Sequence, residues 1–221
     1  IARPYRQRNG TATVTQQDAS TDNQQALALI KQALIGDQHA YAELYNLYAA
    51  GLYRLLYSLL LNRQDAEDVA QEAFVYAFKN LKRYDAKRAS FKTWLYTIAV
   101  SRSRNVHRRK RPITLDISDM MRLKTPAPAS EMPEAHLTRQ RTKEAVAEAL
   151  GSLSPRLREA VVLRYGHGLT YREIAEVMSC PQKTAESRVR LAHKQLRDVM
   201  QAEGRGLLEE LLNIQGGGVW E

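Results

Sequence analysis

The sequence predicts an all-α protein of two small helical domains joined by an extended linker. Apolar residues recur at three- and four-residue spacing in both halves of the chain, as they do on amphipathic helices. Between residues 23 and 111 the only helix-breaking residues are Gly36 and Gly51, which favours a helical bundle. Prolines at positions 112, 126, 128 and 133 then mark the linker. No segment shows the alternation typical of a strand.

These patterns divide the chain into five segments. Residues 1–22 are rich in Gln, Thr and Asn and are predicted to be a flexible tail. The N-terminal helical bundle spans 23–111, the linker 112–133 and the C-terminal helical domain 134–203. A C-terminal extension, 204–221, carries several leucines and ends in a glycine-rich stretch. We expect those leucines to pack on the second domain; binding of a regulator is the alternative.

Four helices are predicted in the first domain. The first runs from Asn23 to Ile35 and ends at Gly36, and Asp37 caps the second. The third spans Asp65 to Leu81, with an alanine-rich apolar stripe and an acidic opposite face. After a break at residues 84–89, Ser90 caps a fourth helix that ends in a run of arginines. Its apolar side is expected to consist of Phe91, Trp94, Leu95, Ile98 and Ala99.

The second domain has stronger boundary signals. A helix from Glu134 ends before Gly151, and Ser154-Pro155 opens the next one, which extends to Tyr165. Thr170 and Glu173 form a predicted capping box that starts a short helix ending at Met178. A turn at Ser179-Cys180 then leads into a long helix from Pro181 to about Glu203.

Composition narrows the class of function. The net charge of +9 indicates a polyanionic partner, usually nucleic acid. No apolar run reaches the roughly 18 residues of a membrane span. The single cysteine, Cys180, excludes a disulfide framework and fits a cytoplasmic protein. We expect no enzymatic activity, no cofactor and no metal site, because the histidines are scattered and no phosphate loop occurs.

Residues 170–192 are the sharpest functional signal. Two helices joined by a short turn, the second rich in cations and hydroxyls, predict a helix-turn-helix. Its second helix would enter the major groove, where Arg188 or Lys183 would contact phosphate or guanine and Gln182 would contact adenine. The alternative is a helical hairpin with a solvated charged face. The predicted inner packing residues are Ile174, Ala175, Val177, Ala185 and Val189.

Two further surfaces stand out in the first domain. Around the break, aromatic residues alternate with cations, a combination that suits capture of an unpaired DNA strand. For Phe91 and Trp94 we favour a core position, whereas Tyr84 and Tyr96 stay undecided. The acidic helix face would dock on a basic protein surface or simply be solvated.

Two stretches of the chain resemble extracytoplasmic-function sigma factors of the sigma-70 family. The run DAEDVAQEAF at 65–74, followed by ASFKTWLYTIA at 89–99, resembles their region two. The run LSPRLREAVVLRY at 153–165, with GLTYREIA at 168–175 and Ser187-Arg188, resembles their region four. The matches cover most of residues 26–198 in the family's order.

The resemblance implies a promoter-recognising subunit of RNA polymerase. Its partners would be core RNA polymerase (the β′ clamp helices and the β flap), promoter DNA and an anti-sigma protein. The residues implied to bind polymerase are Asp65, Asp68, Gln71 and Glu72. Those implied to recognise and melt the −10 element are Tyr84, Lys87, Arg88, Ser90, Lys92, Trp94, Arg102, Arg104 and Arg108. Those implied to contact the −35 element are Arg172, Gln182, Lys183, Thr184, Ser187, Arg188 and Arg190.

Some positions depart from the family pattern. Ser179 stands where glycine is common in the turn, which predicts local backbone strain. Lys183, Glu186 and Leu191 also differ from the usual residues, so the −35 contacts transfer least well. Two other functions remain possible: a stand-alone helix-turn-helix regulator, which would bind duplex DNA tightly without polymerase, and a nuclease, for which Asp65, Glu67 and Asp68 would be the only candidate metal ligands.

Overall fold

A computed structural model describes residues 12–110 and 145–202, and within these ranges every regular element is helical. The first module, residues 12–110, contains four α-helices. The second module, residues 145–202, contains the other four. The first-module helices are α1 (Ala12–Leu34), α2 (Gln38–Leu60), α3 (Arg63–Lys79) and α4 (Phe91–Lys110). The second module contains α5 (described over 145–152), α6 (Pro155–Val161), α7 (Tyr171–Met178) and α8 (Gln182–Ala202).

The helix α1 starts earlier than the sequence suggested. It begins at Ala12, so half of the segment predicted as a tail is helical, and the predicted start at Asn23 is wrong. The polar, Gln- and Thr-rich composition of residues 12–22 gives no apolar periodicity, so this part of the helix was not predicted. No glycine or proline interrupts residues 12–35, which is compatible with a continuous helix. The helix ends at Leu34, one residue before its predicted end, and the predicted turn follows: Gly36 adopts φ +99° and the Asp37 side chain accepts a 2.8 Å bond from His39 N.

The first-module core comes from apolar stripes on α1 to α4. Ala26 and Ile30 of α1 pack against a row of buried leucines on α2, and α3 contributes alanines and Phe74. The α3 helix begins two residues before its predicted start because the Asn62 side chain caps it, accepting from Asp65 N at 3.0 Å. It ends at Lys79, and Leu81 lies in a separate 3-10 turn.

The second module follows the predicted helix boundaries closely, except that α5 continues through Gly151, where it was predicted to end, to residue 152. Pro155 occupies the first turn of α6, and a π-helical turn, Val162–Gly166, continues it. Thr170 and Glu173 form the predicted capping box at α7. Ser179 ends α7 with φ +52°, a left-handed conformation that costs a non-glycine residue free energy. The predicted linker, 112–133, and the C-terminal extension, 204–221, lie outside the described residues.

The two modules pack against each other through α4 and α7 and through α2 and α6. Their buried apolar side chains form one continuous cluster. Arg158 of α6 is buried at this junction. Its guanidinium donates to Leu59 O of α2 at 2.9 Å and to the carbonyls of Leu150 and Gly151 at 2.7 and 3.1 Å. This side chain therefore ties the end of α2 to the start of the second module.

Candidate nucleic-acid interface

The α7–α8 pair forms the helix-turn-helix that the sequence predicted. Ile174 and Val177 of α7 and Ala185 and Val189 of α8 are buried. The small side chain at Ala185 lets the two helices approach closely. Caps at both ends of α7 fix its length, and the turn at Ser179 sets the direction of α8. The outer side of α8 is thereby held at a fixed angle on a packed scaffold.

Four of the six predicted DNA-facing residues of α8 are exposed on its outer side. Gln182, Lys183, Ser187 and Arg190 are exposed, whereas Thr184 and Arg188 are partly buried. The amide Nε2 of Gln182 donates to Glu186 Oε1 at 3.0 Å. This bond occupies one of the two amide protons, and the second proton with Oε1 provides the donor and acceptor of a bidentate contact to adenine.

A cavity of about 450 Å³ lies beside this outer side of α8. Lys183 and Arg190 line it together with the rings of Tyr165, Tyr171 and His193. Cations beside flat rings can accept both phosphate and stacked groups. On α7, the exposed Arg172 has its Nε 3.6 Å from Glu176 Oε1.

The loop before α4 is ordered by short local bonds. The Tyr84 hydroxyl donates to Ala89 O at 3.1 Å, and Asp85 accepts from Lys87 N at 2.9 Å. Ser90 Oγ accepts from Thr93 N at 3.2 Å, as expected of a cap. Both cations of the loop, Lys87 and Arg88, are exposed. The loop therefore presents two cations from a defined backbone.

The aromatic residues around this loop are mostly structural. Phe91 is fully buried, as predicted. The centroid of its ring lies 5.6 Å from the ring centroid of Tyr84 and 5.7 Å from that of Trp94. Trp94 is only partly buried, so it is less completely a core residue than predicted. Tyr96, undecided from sequence, is 2% exposed. Trp94 and Tyr84 are thus the two aromatic residues of this group that are only partly buried.

Three of the predicted DNA-binding cations of α4 are engaged within the protein. Arg102 Nη1 lies 3.3 Å from Glu72 Oε2 of α3, and its guanidinium stacks 4.7 Å above the Tyr76 ring. Lys92 and Arg104 instead bond to the second module. The fourth cation, Arg108, is exposed near the end of α4. The α4 cations are thus less available than the sequence suggested.

The Arg104 and Lys92 contacts belong to a polar cluster between the modules. Arg104 donates twice to Glu159, at 2.9 and 2.7 Å, and Lys92 Nζ donates to His167 O at 3.1 Å. The Tyr96 hydroxyl lies 3.1 Å from His167 Nδ1. Burial lowers the pKa of Lys92 and, assisted by the nearby cations Lys92 and Arg54, lowers the pKa of His167 to about 3. The imidazole is therefore neutral in this arrangement.

The acidic face of α3 is exposed as predicted. Asp68, Gln71 and Glu72 are exposed and Asp65 is partly buried. Gln64 donates to Asp68 Oδ1 at 3.1 Å along the helix. The Arg102–Glu72 pair joins this face to α4, so the predicted polymerase-binding and DNA-binding surfaces of the first module are contiguous.

Neither described part of the chain clusters three or more His, Cys, Asp or Glu residues as a metal site would require. No described helix combines the length and apolar character needed to cross a membrane.

Family models match both modules. The model for sigma-70 region 2 matches residues 44–113, and the model for sigma-70 region 4 matches residues 143–196. The ECF RNA polymerase sigma factor SigW of Bacillus subtilis is 31% identical over 180 residues, covering 77% of this chain and 96% of SigW. The RNA polymerase sigma-H factor of Pseudomonas aeruginosa is 32% identical, covering 78% of this chain and 92% of that protein.

The chain belongs to the ECF sigma factors. Its function is to direct RNA polymerase to promoters. Sigma factors as a class are non-enzymatic initiation factors. The solved structure of CnrH in complex with the cytosolic domain of CnrY aligns with a TM-score of 0.59 at 25% identity, covering 82% of this sigma factor and 97% of CnrH. The sigma factor RpoE of Bartonella quintana, solved with the anti-sigma factor NepR, shares the fold at a TM-score of 0.55 and 24% identity. The alignment covers 73% of this chain and 96% of RpoE.

Sequence reasoning missed the second-module residues that contact α4 in this sigma factor. Glu159, His167 and Glu173 each bond to an α4 side chain across the module boundary. Glu173 was predicted only as a capping residue, and Glu159 and His167 carried no prediction. The one available signal was Glu159 itself, because a carboxylate inside an apolar run such as EAVVL needs a partner when buried.

Proposed function

We propose that this sigma factor divides promoter opening between its two modules. The first module, with domain bounds near 23–111, binds core polymerase and melts the −10 element. The second, near 134–203, recognises the −35 element. The observation that carries the proposal is the exposed, cation-bearing outer side of α8, held by a capped helix-turn-helix. Such a helix suits the major groove.

The acidic face of α3 is the proposed polymerase-binding surface, and its partner would be the clamp helices of the β′ subunit. Asp68 and Glu72 are exposed on a protein of net charge +9, so they would be repelled by DNA and attracted to a basic protein surface. The β flap is the proposed partner of the second module. These assignments rest on the family resemblance together with the exposure of the side chains.

The proposed −10 surface consists of the loop at 84–90 and the adjoining face of α4. Lys87 and Arg88 would hold the backbone of the non-template strand. Tyr84 and Trp94 are each partly buried, and their adjacent rings would stack against an unpaired base. A base turned out of the duplex can be recognised in a pocket without competition from its stacked neighbours.

An anti-sigma protein is the proposed regulator of this sigma factor. The family resemblance implies one, and the RpoE of Bartonella quintana has been solved with the anti-sigma factor NepR.

Transcription in vitro tests the proposal as a whole. Purified full-length protein is mixed with sigma-free core polymerase and fragmented host DNA, and the RNA 5′ ends are sequenced. We expect discrete start sites that require this protein and share −35 and −10 sequences. Their absence, with the same core polymerase active with another sigma factor, would contradict the proposed division.

Matched charge reversals test the polymerase surface. Asp68→Arg should weaken binding to core polymerase, because it places a cation on the acidic docking face. Asp198→Arg, which makes the same charge change at an exposed position of α8, should leave that affinity unchanged. Equal affinities for both variants would remove the assignment of α3.

A further inference from the structure

Glu186 is an acidic residue on the proposed −35 surface of a strongly basic protein. Its side chain is partly buried on α8 and lines the cavity of about 450 Å³ together with the cations Lys183 and Arg190, which lie one turn before it and one turn after it. Glu186 departs from the family pattern, so the resemblance assigns it no role. A carboxylate at this place would be repelled by the DNA phosphates on every sequence. A favourable role for Glu186 therefore requires a hydrogen-bond donor on the DNA that offsets this repulsion.

Local stabilisation of α8 does not account for the acidic residue. The positive N-terminal end of a helix attracts a carboxylate, but this attraction falls off within the first turn, and Glu186 lies four residues beyond Gln182, the first residue of α8. A hydrogen bond between side chains four residues apart stabilises a helix only weakly. The explanation is therefore sought in what the side chain presents to DNA.

The direction of the Glu186 carboxylate is fixed by Gln182. The two residues share a face of α8, and Gln182 Nε2 donates to Glu186 Oε1 at 3.0 Å. A carboxylate offers about four acceptor positions on its two oxygens, and this bond uses one of them. The other positions, including those of Oε2, can accept from the edge of a base. Glu186 thus presents acceptors only, held in one orientation by its neighbour.

We propose that Glu186 is a specificity-determining residue that selects a cytosine on one strand of the −35 element, and that Gln182 positions its carboxylate. The inference rests on the proposed −35 role of α8. In the major groove, cytosine presents its N4 amino group as a donor, whereas guanine presents two acceptors and thymine an acceptor and a methyl group. A carboxylate therefore accepts from cytosine and is repelled by guanine or thymine at the same place. Adenine also has an amino donor, but its N7 acceptor lies beside that donor and disfavours a carboxylate.

The two cations beside Glu186 supply the affinity that the carboxylate does not. Lys183 and Arg190 are both exposed and line the same cavity. Contacts from cations to phosphates hold the protein on DNA of any sequence, whereas contacts to base edges distinguish sequences. Glu186 then acts mainly against wrong sequences, because its charge is left without a donor wherever cytosine is absent.

Binding of the holoenzyme to a promoter library tests the assignment. The library carries a randomised −35 element within a promoter mapped by the transcription experiment, and the bound fraction is sequenced. Glu186→Gln keeps the size of the side chain and replaces the charge with an amide, which suits adenine. Asp198→Asn is the matched control, because it removes the same charge from an exposed carboxylate about three turns further along α8. Circular dichroism verifies that each variant retains its helices.

The expected result is a change of base preference at one position of the −35 element. There, the parent and Asp198→Asn should favour cytosine over guanine and thymine by about fivefold or more. In Glu186→Gln this preference should fall, and adenine should be bound about as well as cytosine, while the preferences at other positions persist. Gln182→Ala should weaken the cytosine preference without abolishing it, because the carboxylate remains but is no longer held in one orientation.

The same library separates failure of this inference from failure of the proposed function. Unchanged base preferences in folded Glu186→Gln would overturn the selective role of Glu186. A uniform gain in affinity for all sequences would also overturn it, because the carboxylate would then act through its charge alone. Both results leave the proposed −35 surface intact. A parent holoenzyme without base preference at any −35 position would remove that surface, and the inference with it.

Discussion

The two modules place their DNA-facing residues on different kinds of structure. In the second module, Ile174, Ala185 and Val189 make the core, and the outer side of α8 is a separate set of exposed side chains. In the first module, the loop and α4 use neighbouring or identical residues for the core, for contacts between modules and for the proposed DNA surface. In α8, different residues therefore serve DNA recognition and stability, whereas in α4 the same or neighbouring residues serve both.

The largest effect that this comparison predicts is on stability. Phe91→Ala should lower the free energy of unfolding by about 3–5 kcal/mol, because it empties a fully buried site among Tyr48, Tyr84 and Trp94. Ser187→Ala, on the exposed side of α8, should change it by less than about 0.5 kcal/mol. Denaturant unfolding followed by circular dichroism measures both. Comparable losses of unfolding free energy in the two variants would show that the two modules do not differ in this way.

A second prediction concerns DNA affinity. Arg188→Ala should weaken binding of the holoenzyme to its own promoters by about 1–3 kcal/mol if the guanidinium makes a bidentate base contact. Arg197→Ala, exposed two turns further along α8, is the control and should have little effect. Affinities for several mapped promoters distinguish two origins. A loss that depends on the −35 sequence indicates a base contact, and a uniform loss indicates a phosphate contact.

The features that could be predicted from the sequence differ between the two modules in the same way. The capping box at Thr170 and the buried face of α7 depend on residues within a few positions of one another and were predictable from them, whereas strain at Ser179 was expected only from the family's usual glycine. The α4 contacts join residues 55 to 80 positions apart. No local pattern encodes which buried carboxylate will meet which arginine, so the engagement of Lys92 and Arg104 was visible only in the fold.

A third prediction uses pH to probe the contact between the modules through His167, which is buried in the closed form described above and would be solvated in an open form with separated modules. Its neighbours are Arg54 of α2 and Lys92 and Tyr96 of α4, while Glu173 of α7 and Asp22 of α1 act on Lys92. Closure lowers the imidazole pKa to about 3 from an ordinary value of 6.5. The closed form is therefore favoured fully above pH 6.5 and loses stability as the pH falls below it, because only the open form takes up the proton.

Between pH 7.5 and 5.5, the ratio of open to closed molecules should rise about tenfold. Spin labels on cysteines that replace the exposed Asn46 and Gln195, in a Cys180→Ser background, report that ratio as two distance populations. His167→Gln keeps a neutral side chain that can bond to Tyr96 but does not titrate, so its ratio should stay constant over the same range. A pH dependence that survives in His167→Gln would assign the effect to another group.

The smallest predicted effect is at the turn of the helix-turn-helix. Ser179→Gly should stabilise the second module by about 0.5–1 kcal/mol, because glycine adopts φ +52° without the steric cost that serine bears, while part of the gain is lost to the more flexible unfolded chain. Leu61→Gly, at the other non-glycine residue with positive φ in the described ranges, is a poor control because Leu61 also packs on the core. Ser152→Gly is the better control, since it makes the same exchange outside the turn and should destabilise. If Ser179→Gly also weakened promoter binding, the angle of α8 would depend on the serine itself, and recognition in the second module would be less separable from its local structure than the packing indicates.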